Sequence, residues 1–189
     1  FSATLLPINY YKELLCKKDN PTAIYAKTIF ENKQRLLLIS EDVTSKYSER
    51  TEEMYSKIAD YIIKTSSVKK GNYIAFFPSY VFMENVYNSL LDKKYNLDII
   101  IQGNSMSETD REDFISEFEL EREKSLVAFC VLGGIFSEGI DLVNDKLIGA
   151  IIIGTGLPQT NFESDMLLEH FEKNGRNGFV LHCLPLAVY

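Results

Sequence analysis

The residues best suited to chemistry lie at positions 133–141, where three glycines and two carboxylates follow an apolar run. Glycines let a ligand or another domain approach the backbone closely, and Glu138 and Asp141 could accept hydrogen bonds from hydroxyls or arginines. In an open parallel sheet, ligands bind where strands end. The pattern therefore predicts a binding loop. The plainer interpretation is an ordinary turn that carries two solvated acids.

A second candidate is Ser79, which follows an apolar run and Pro78 and begins an amphipathic segment. Its hydroxyl can cap the start of a helix. The same hydroxyl, with the free amides of that helix start, could also hold a phosphate. The two roles are compatible, so the sequence leaves both open.

Several common catalytic patterns do not occur in the sequence. It has no GxxxxGK[ST] phosphate loop and no HExxH zinc motif, so the chain alone is not a complete nucleotide hydrolase. Ser137 does not lie in a GxSxG nucleophile pattern. His170 and His182 have no cysteine or carboxylate partners at ligand spacing. We therefore predict no complete catalytic site and no metal site.

Strands and helices alternate along the chain and would position these residues. Apolar runs predict strands at 73–77, 97–101, 126–132 and 147–153. We expect the last two to be buried on both faces. Weaker strand candidates lie at 24–29 and 36–39, of which the second has the clearer pattern.

Apolar residues three and four positions apart predict amphipathic helices between these strands. One covers about 48–66, one begins after Ser79, and one begins at a capping box formed by Ser107 and Asp110. Further helices are predicted before Cys16 and from Thr160 to about 173. This alternation predicts an α/β fold with right-handed crossovers and a mostly parallel sheet.

Composition limits the classes of function. The net charge of -7 argues against a strong nonspecific grip on nucleic acid by this segment alone. Three widely spaced cysteines, at positions 16, 130 and 183, indicate a reducing compartment without a disulfide framework. No apolar run approaches the roughly 20 residues of a membrane helix. We expect a cytoplasmic protein.

Four segments in order resemble motifs of the XPD/DinG branch of superfamily two helicases. Residues 71–80, GNYIAFFPSY, resemble motif IV, and residues 131–142, VLGGIFSEGIDL, resemble motif V. Residues 102–118 resemble the segment between those motifs. The opening FSATL, at 1–5, resembles motif III, which links the two motor domains of the family. The resemblance extends over nearly all of residues 1–179.

The resemblance implies a three-layer RecA-like (P-loop NTPase-like) domain, the second of two motor domains in an ATP-dependent 5′–3′ DNA helicase. Residues 46–179 would form this domain, with the end of motif III and a lead-in at 1–45 and an atypical tail at 180–189. Contacts with the backbone of single-stranded DNA would come from Ser79, Tyr80 and Gln102. ATP binding and its coupling to DNA would come from Gly134, Glu138, Gly139 and Asp141. Coupling between the domains would come from Ser2, Ala3 and Thr4.

By the same resemblance, ATP and Mg²⁺ would bind in a site completed by the first RecA-like domain. That domain would also carry the family's Walker A loop, metal box and any iron-sulfur cluster. The implied partners are single-stranded DNA and that first domain, with no membrane. Motif VI should follow position 179, yet the sequence there reads VLHCLPLAVY, and Arg176 does not match the motif. Without arginines that reach the γ-phosphate, we expect the isolated chain not to hydrolyse ATP.

A second interpretation stays open. The chain could be a RecA-like module that binds a protein partner or a nucleotide without motor function. Its acidic balance and the missing motif VI fit that alternative. A basic surface near Ser79 would favour DNA, whereas an acidic or apolar edge would favour a protein partner.

Overall fold

A computed structural model describes residues 8–16, 21–25, 31–137, 140–155, 162–175 and 177. These residues divide into two compact units. One unit covers Glu41–Gly156, and the other combines the described parts of Phe1–Ser40 and Leu157–Val188. The predicted domain boundaries stay predictions. The predicted tail at 180–189 and motif III lie outside the described residues.

The larger unit contains four strands and three α-helices that alternate as the sequence predicts. In chain order they are α2 (Glu52–Val68), β1 (Asn72–Phe77), α3 (Tyr80–Leu91), β2 (Leu97–Ile101), α4 (Glu108–Ser116), β3 (Ser125–Val131) and β4 (Gly149–Ile152). The other unit contains α1 (Ile8–Leu15) and α5 (Phe162–Lys173). No described helix has the length and apolar character needed to cross a membrane.

The four strands form one sheet in the order β2-β3-β1-β4, and every pairing is parallel. Ala75 of β1 pairs with Phe129 on one side and with Ile151 on the other, which fixes the register across the centre. Parallel neighbours require crossover connections, and α3 and α4 supply those that lead to β2 and β3. Between β3 and β4 the described residues form only a short 3₁₀ helix, Asn144–Lys146. The predicted α/β fold with a mostly parallel central sheet is confirmed.

The buried strand β3 shows why the fold has three layers. Successive side chains of a strand point to opposite faces. Val127, Phe129 and Val131 therefore join one hydrophobic cluster with α2 and α3. Leu126, Ala128 and Cys130 join a second cluster with Phe114 of α4. All seven residues of β3 are buried, as its unbroken apolar run predicts.

Local side-chain hydrogen bonds fix where the helices begin. The hydroxyl of Thr51 accepts a hydrogen bond from the amide of Met54 at 3.2 Å and caps α2. Ser107 and Asp110 form the predicted capping box of α4. The pKa of the Asp110 carboxyl is lowered because it accepts hydrogen bonds from the side chain and backbone of Ser107.

Two strand predictions need correction. The run at 147–153 forms β4, but β4 is an edge strand of the sheet that the structure describes, and its Ile152 side chain is 65% exposed. An apolar run indicates burial without showing whether a strand has one neighbour or two. The run at 36–39 forms no strand, and its side chains are 72–83% exposed. Residues 24 and 25 are also irregular, while residues 26–30 lie outside the described residues.

Burial makes Cys130 a direct probe of unfolding. Its side chain is fully buried, and desolvation raises the pKa of the thiol to about 12. Because the thiolate is the reactive form, we expect iodoacetamide at about pH 8 to label Cys130 only through unfolding. Peptide mass spectrometry with and without denaturant would measure this. Labelling of Cys130 in the native chain as fast as in denaturant would contradict the packing of β3.

Candidate functional site

The ends of the parallel strands bring several predicted site residues together. Ser79 and Tyr80 follow β1, Gln102 directly follows β2, and Gly134 follows β3. In a parallel sheet these strand ends lie along the same edge. A hydrogen bond joins Gln102 to Tyr80, and Gly134 packs closely against Gln102. Glu138, Gly139 and Ser2–Thr4 lie outside the described residues.

The side chain of Gln102 is the centre of this group. It is 2% exposed. Its carbonyl oxygen accepts a hydrogen bond from the backbone amide of Val131 at 2.9 Å. Its amide nitrogen donates to the hydroxyl of Tyr80 at 2.8 Å, and that hydroxyl donates to the carbonyl of Gly103 at 3.2 Å. Gln102 therefore links the end of β3 to the start of α3.

Ser79 occupies the position that caps α3. Its side-chain oxygen accepts a hydrogen bond from the backbone amide of Phe82 at 3.3 Å. Accepting this bond leaves the hydroxyl hydrogen available as a donor. The first amides of α3 lie beside it, and the helix dipole there favours an anion. The structure thus keeps both roles predicted for Ser79 open.

The loop after β3 is held to the sheet as far as Ser137. The amide of Leu132 donates to the carbonyl of Phe77 at 2.8 Å, and the hydroxyl of Ser137 donates to the carbonyl of Val131 at 3.1 Å. The ring of Phe136 stacks on that of Phe114, with centroids 4.3 Å apart. The first half of the predicted binding loop therefore has a fixed position.

Close approach explains the glycine at position 134. A Cβ atom there would lie 2.9 Å from the amide nitrogen of Gln102 and 2.9 Å from the carbonyl oxygen of Val131. Any larger residue would push against the bridge formed by Gln102. Further along the loop, Asp141 is exposed. Among the described residues, no hydrogen bond joins Asp141 to Gln102, so these two predicted site residues are not linked directly.

Arg50 and Tyr47 also lie close to the start of α3, and the sequence analysis did not single them out. The guanidinium of Arg50 lies 5.2 Å from the ring centroid of Phe82 and 5.2 Å from that of Tyr47. Its Nε donates to the carbonyl of Ser45 at 3.1 Å. Tyr47 is 86% exposed. The only sequence signal was an aromatic residue three positions before an arginine.

The described residues contain no group of three His, Cys, Asp or Glu side chains that could hold a metal ion. The edge does contain backbone amides at a helix start, a tight glycine loop and an exposed carboxylate. Such groups can contact phosphates or a second domain. In this part of the chain they do not form a complete nucleotide site.

Comparison with known proteins identifies the family. A family model described as the helicase C-terminal domain matches residues 62–189. The chain belongs to this family. The predicted resemblance to XPD/DinG-type helicases is thereby confirmed.

Individual relatives agree with this helicase C-terminal domain. The ATP-dependent DNA helicase XPD of Sulfolobus acidocaldarius is 31% identical over 164 residues, which cover 83% of this chain and 27% of that protein. The ATP-dependent DNA helicase CHL1 of Kluyveromyces lactis is 28% identical over 141 residues, covering 69% and 17% respectively. A solved structure of an XPD helicase superposes with a TM-score of 0.60 at 26% identity, covering 77% of this chain and 25% of that one. The helicase C-terminal domain thus spans about a quarter or less of these relatives.

Replacing Gln102 tests the bridge in the helicase C-terminal domain. Gln102→Ala leaves the amide of Val131 and the hydroxyl of Tyr80 without their buried partner. We expect the free energy of unfolding to fall by about 1–3 kcal/mol, measured by urea denaturation. Asn104→Ala, in the exposed part of the same loop, is the control and should change stability little. Equal losses in the two variants would contradict the assigned role.

Proposed function

We propose that this chain is the second motor domain of an ATP-dependent 5′–3′ DNA helicase. Membership of the helicase C-terminal domain family supports this, as do two relatives named as ATP-dependent DNA helicases. The single observation that carries the proposal is the buried bridge of Gln102. It connects the start of α3, where DNA is expected, with the end of β3, where the loop that is expected to sense ATP begins.

The DNA contacts proposed here are directed at the backbone. The hydroxyl of Ser79 and the first amides of α3 would donate hydrogen bonds to phosphate oxygens. The guanidinium of Arg50, beside Phe82, would add a positive charge near the same helix start. Tyr80 would border this contact, with its hydroxyl held by Gln102. Such contacts carry no sequence information, which suits a motor that moves along any strand.

Gln102 itself is assigned a positioning role in this proposal. Both polar atoms of its side chain are already bonded inside the protein, so its effect on DNA would pass through Tyr80. The loop beyond Ser137 would face the ATP cleft. Gly134 would keep that loop close to the bridge, and Glu138, Gly139 and Asp141 would respond to the nucleotide. Movement of the loop when the cleft closes would then shift the start of α3.

ATP and Mg²⁺ fit this edge only in part. Backbone amides and the exposed carboxylate of Asp141 would form one side of the nucleotide site. The groups that hold the triphosphate and the metal ion would come from the first motor domain. That domain would join through the segment containing Ser2, Ala3 and Thr4. Any iron-sulfur cluster would belong to it as well. ATP supplies the energy of translocation, and this chain would convert cleft closure into movement of its DNA contacts.

Aspartate at position 79 separates capping from DNA binding. Asp caps a helix as well as Ser does, so Ser79→Asp should keep the stability of α3 to within about 0.5 kcal/mol. Its negative charge would repel phosphate and remove the hydroxyl donor. We expect the affinity of the full-length protein for labelled oligo(dT), followed by fluorescence anisotropy, to fall about tenfold.

The matched control for this charge is Asn88→Asp, which adds the same charge on an exposed position about two turns further along α3. It should leave oligo(dT) affinity within about twofold, because solvent and salt screen distant surface charges. Unchanged affinity in Ser79→Asp, with stability retained, would remove Ser79 from the DNA contact.

Activity assays distinguish a motor domain from a module without motor function. The full-length protein should hydrolyse ATP faster with single-stranded DNA and should unwind duplexes that carry a 5′ overhang but not a 3′ overhang. The 189-residue chain alone should show no DNA-stimulated hydrolysis.

The opposite results have distinct meanings. Hydrolysis by the isolated chain would show that the missing arginines are supplied within it. A full-length protein that binds nucleotide or a protein partner but neither hydrolyses ATP nor unwinds DNA would favour the alternative module, which the acidic balance of the chain also fits.

A further inference from the structure

A groove between the edge strand β2 and α4 is lined by none of the residues proposed to contact DNA or ATP, and it adjoins them through Gly103, whose carbonyl accepts a hydrogen bond from Tyr80. Its volume is about 530 Å³. Ile100, Met106 and Phe114 supply its apolar surface, and Asp110, Asp113 and Glu117 supply its carboxylates. β2 pairs only with β3 within the described sheet, so its other edge is open beside this groove. An open edge offers backbone hydrogen bonds to an added segment.

The groove lies in the most acidic part of the chain. Positions 108–123 contain eight carboxylates and two arginines, which gives a net charge of -6, while the net charge of the whole chain is -7. Asp113 is exposed, and no ion pair within the described residues involves it. Glu117 pairs with Arg122, and Asp110 is ionised within its capping box. A nucleic acid backbone would be repelled here, whereas a cationic ligand would be attracted.

Two simpler occupants fit poorly. The carboxylates of the groove do not form a group that could hold a metal ion, among the residues that the structure describes. A small cation would also leave the apolar surface of Ile100 and Met106 in contact with water. A cationic protein segment with an apolar side chain matches both the charge and the apolar surface.

We propose that this groove binds a lysine- and arginine-rich segment of a partner protein, with an apolar side chain of the segment seated against Ile100, Met106 and Phe114. The segment would lie along the open edge of β2. Its lysine and arginine side chains would face the carboxylates of Asp110, Asp113 and Glu117. The groove would thus attract a positively charged protein segment, whereas the start of α3 would attract the negatively charged backbone of DNA. This inference does not depend on motor activity.

The test uses a short fluorescein-labelled peptide of alternating lysine and leucine, titrated with the full chain in an anisotropy assay. We expect Asp113→Asn to weaken binding about threefold, as for exposed charge pairs, and Met106→Ser to weaken it about tenfold through lost apolar contact. Amide chemical shifts should move at groove residues. Circular dichroism should show that both variants remain folded.

Three controls keep the proposal open to refutation. Asp92→Asn removes an exposed carboxylate at the end of α3 and should leave peptide binding unchanged. A peptide with serine in place of each leucine should bind at least about fivefold more weakly. A peptide with glutamate in place of each lysine should not bind.

The proposal is overturned if Asp92→Asn weakens binding as much as Asp113→Asn, if the serine peptide binds equally well, or if the glutamate peptide binds. It is also overturned if neither groove variant changes affinity. None of these outcomes bears on the Ser79 experiment, so the two proposals fail separately.

Discussion

The need to satisfy one buried amide constrains the whole functional edge of this domain. The side chain of Gln102 has almost no contact with water, so its oxygen and nitrogen must find partners inside the protein. It finds them at the end of β3 and at Tyr80. Breaking either bond would leave a buried polar group unpaired, which is costly in a region of low dielectric. The end of β3 and the start of α3 are therefore held together by Gln102. A conformational change that moves one of them must also move the other.

The packing beneath this edge divides the same strand between two cores. Alternate side chains of β3 face α2 and α3 on one side and α4 on the other. Phe136 extends the second core under the loop through its stack with Phe114. A displacement of the loop therefore has to disturb either a stacked aromatic pair or the buried bridge. Movement of this loop would therefore be transmitted to the elements on which it packs.

Much of this arrangement could be predicted from sequence. Unbroken apolar runs and capping residues gave the order of strands and helices, because both depend on local chemistry. The exposed edge of β4 could not be predicted, since an apolar strand looks the same with one neighbour or two. Gln102 was predicted to contact DNA, but its side chain is buried and bonded to Val131, 29 residues away, a tertiary contact that the sequence pattern does not show. Arg50 was missed because its stacking on Phe82 is a tertiary contact.

The open side of β4 has a practical consequence. Within the sheet that the structure describes, β4 pairs only with β1, Ile152 is 65% exposed, and the strand GAII carries no charged residue. An edge strand of this kind can pair with another chain. Where no other segment covers it, two copies of the domain would pair β4 against β4 into one continuous sheet, and Ile152→Lys would oppose that pairing through charge repulsion.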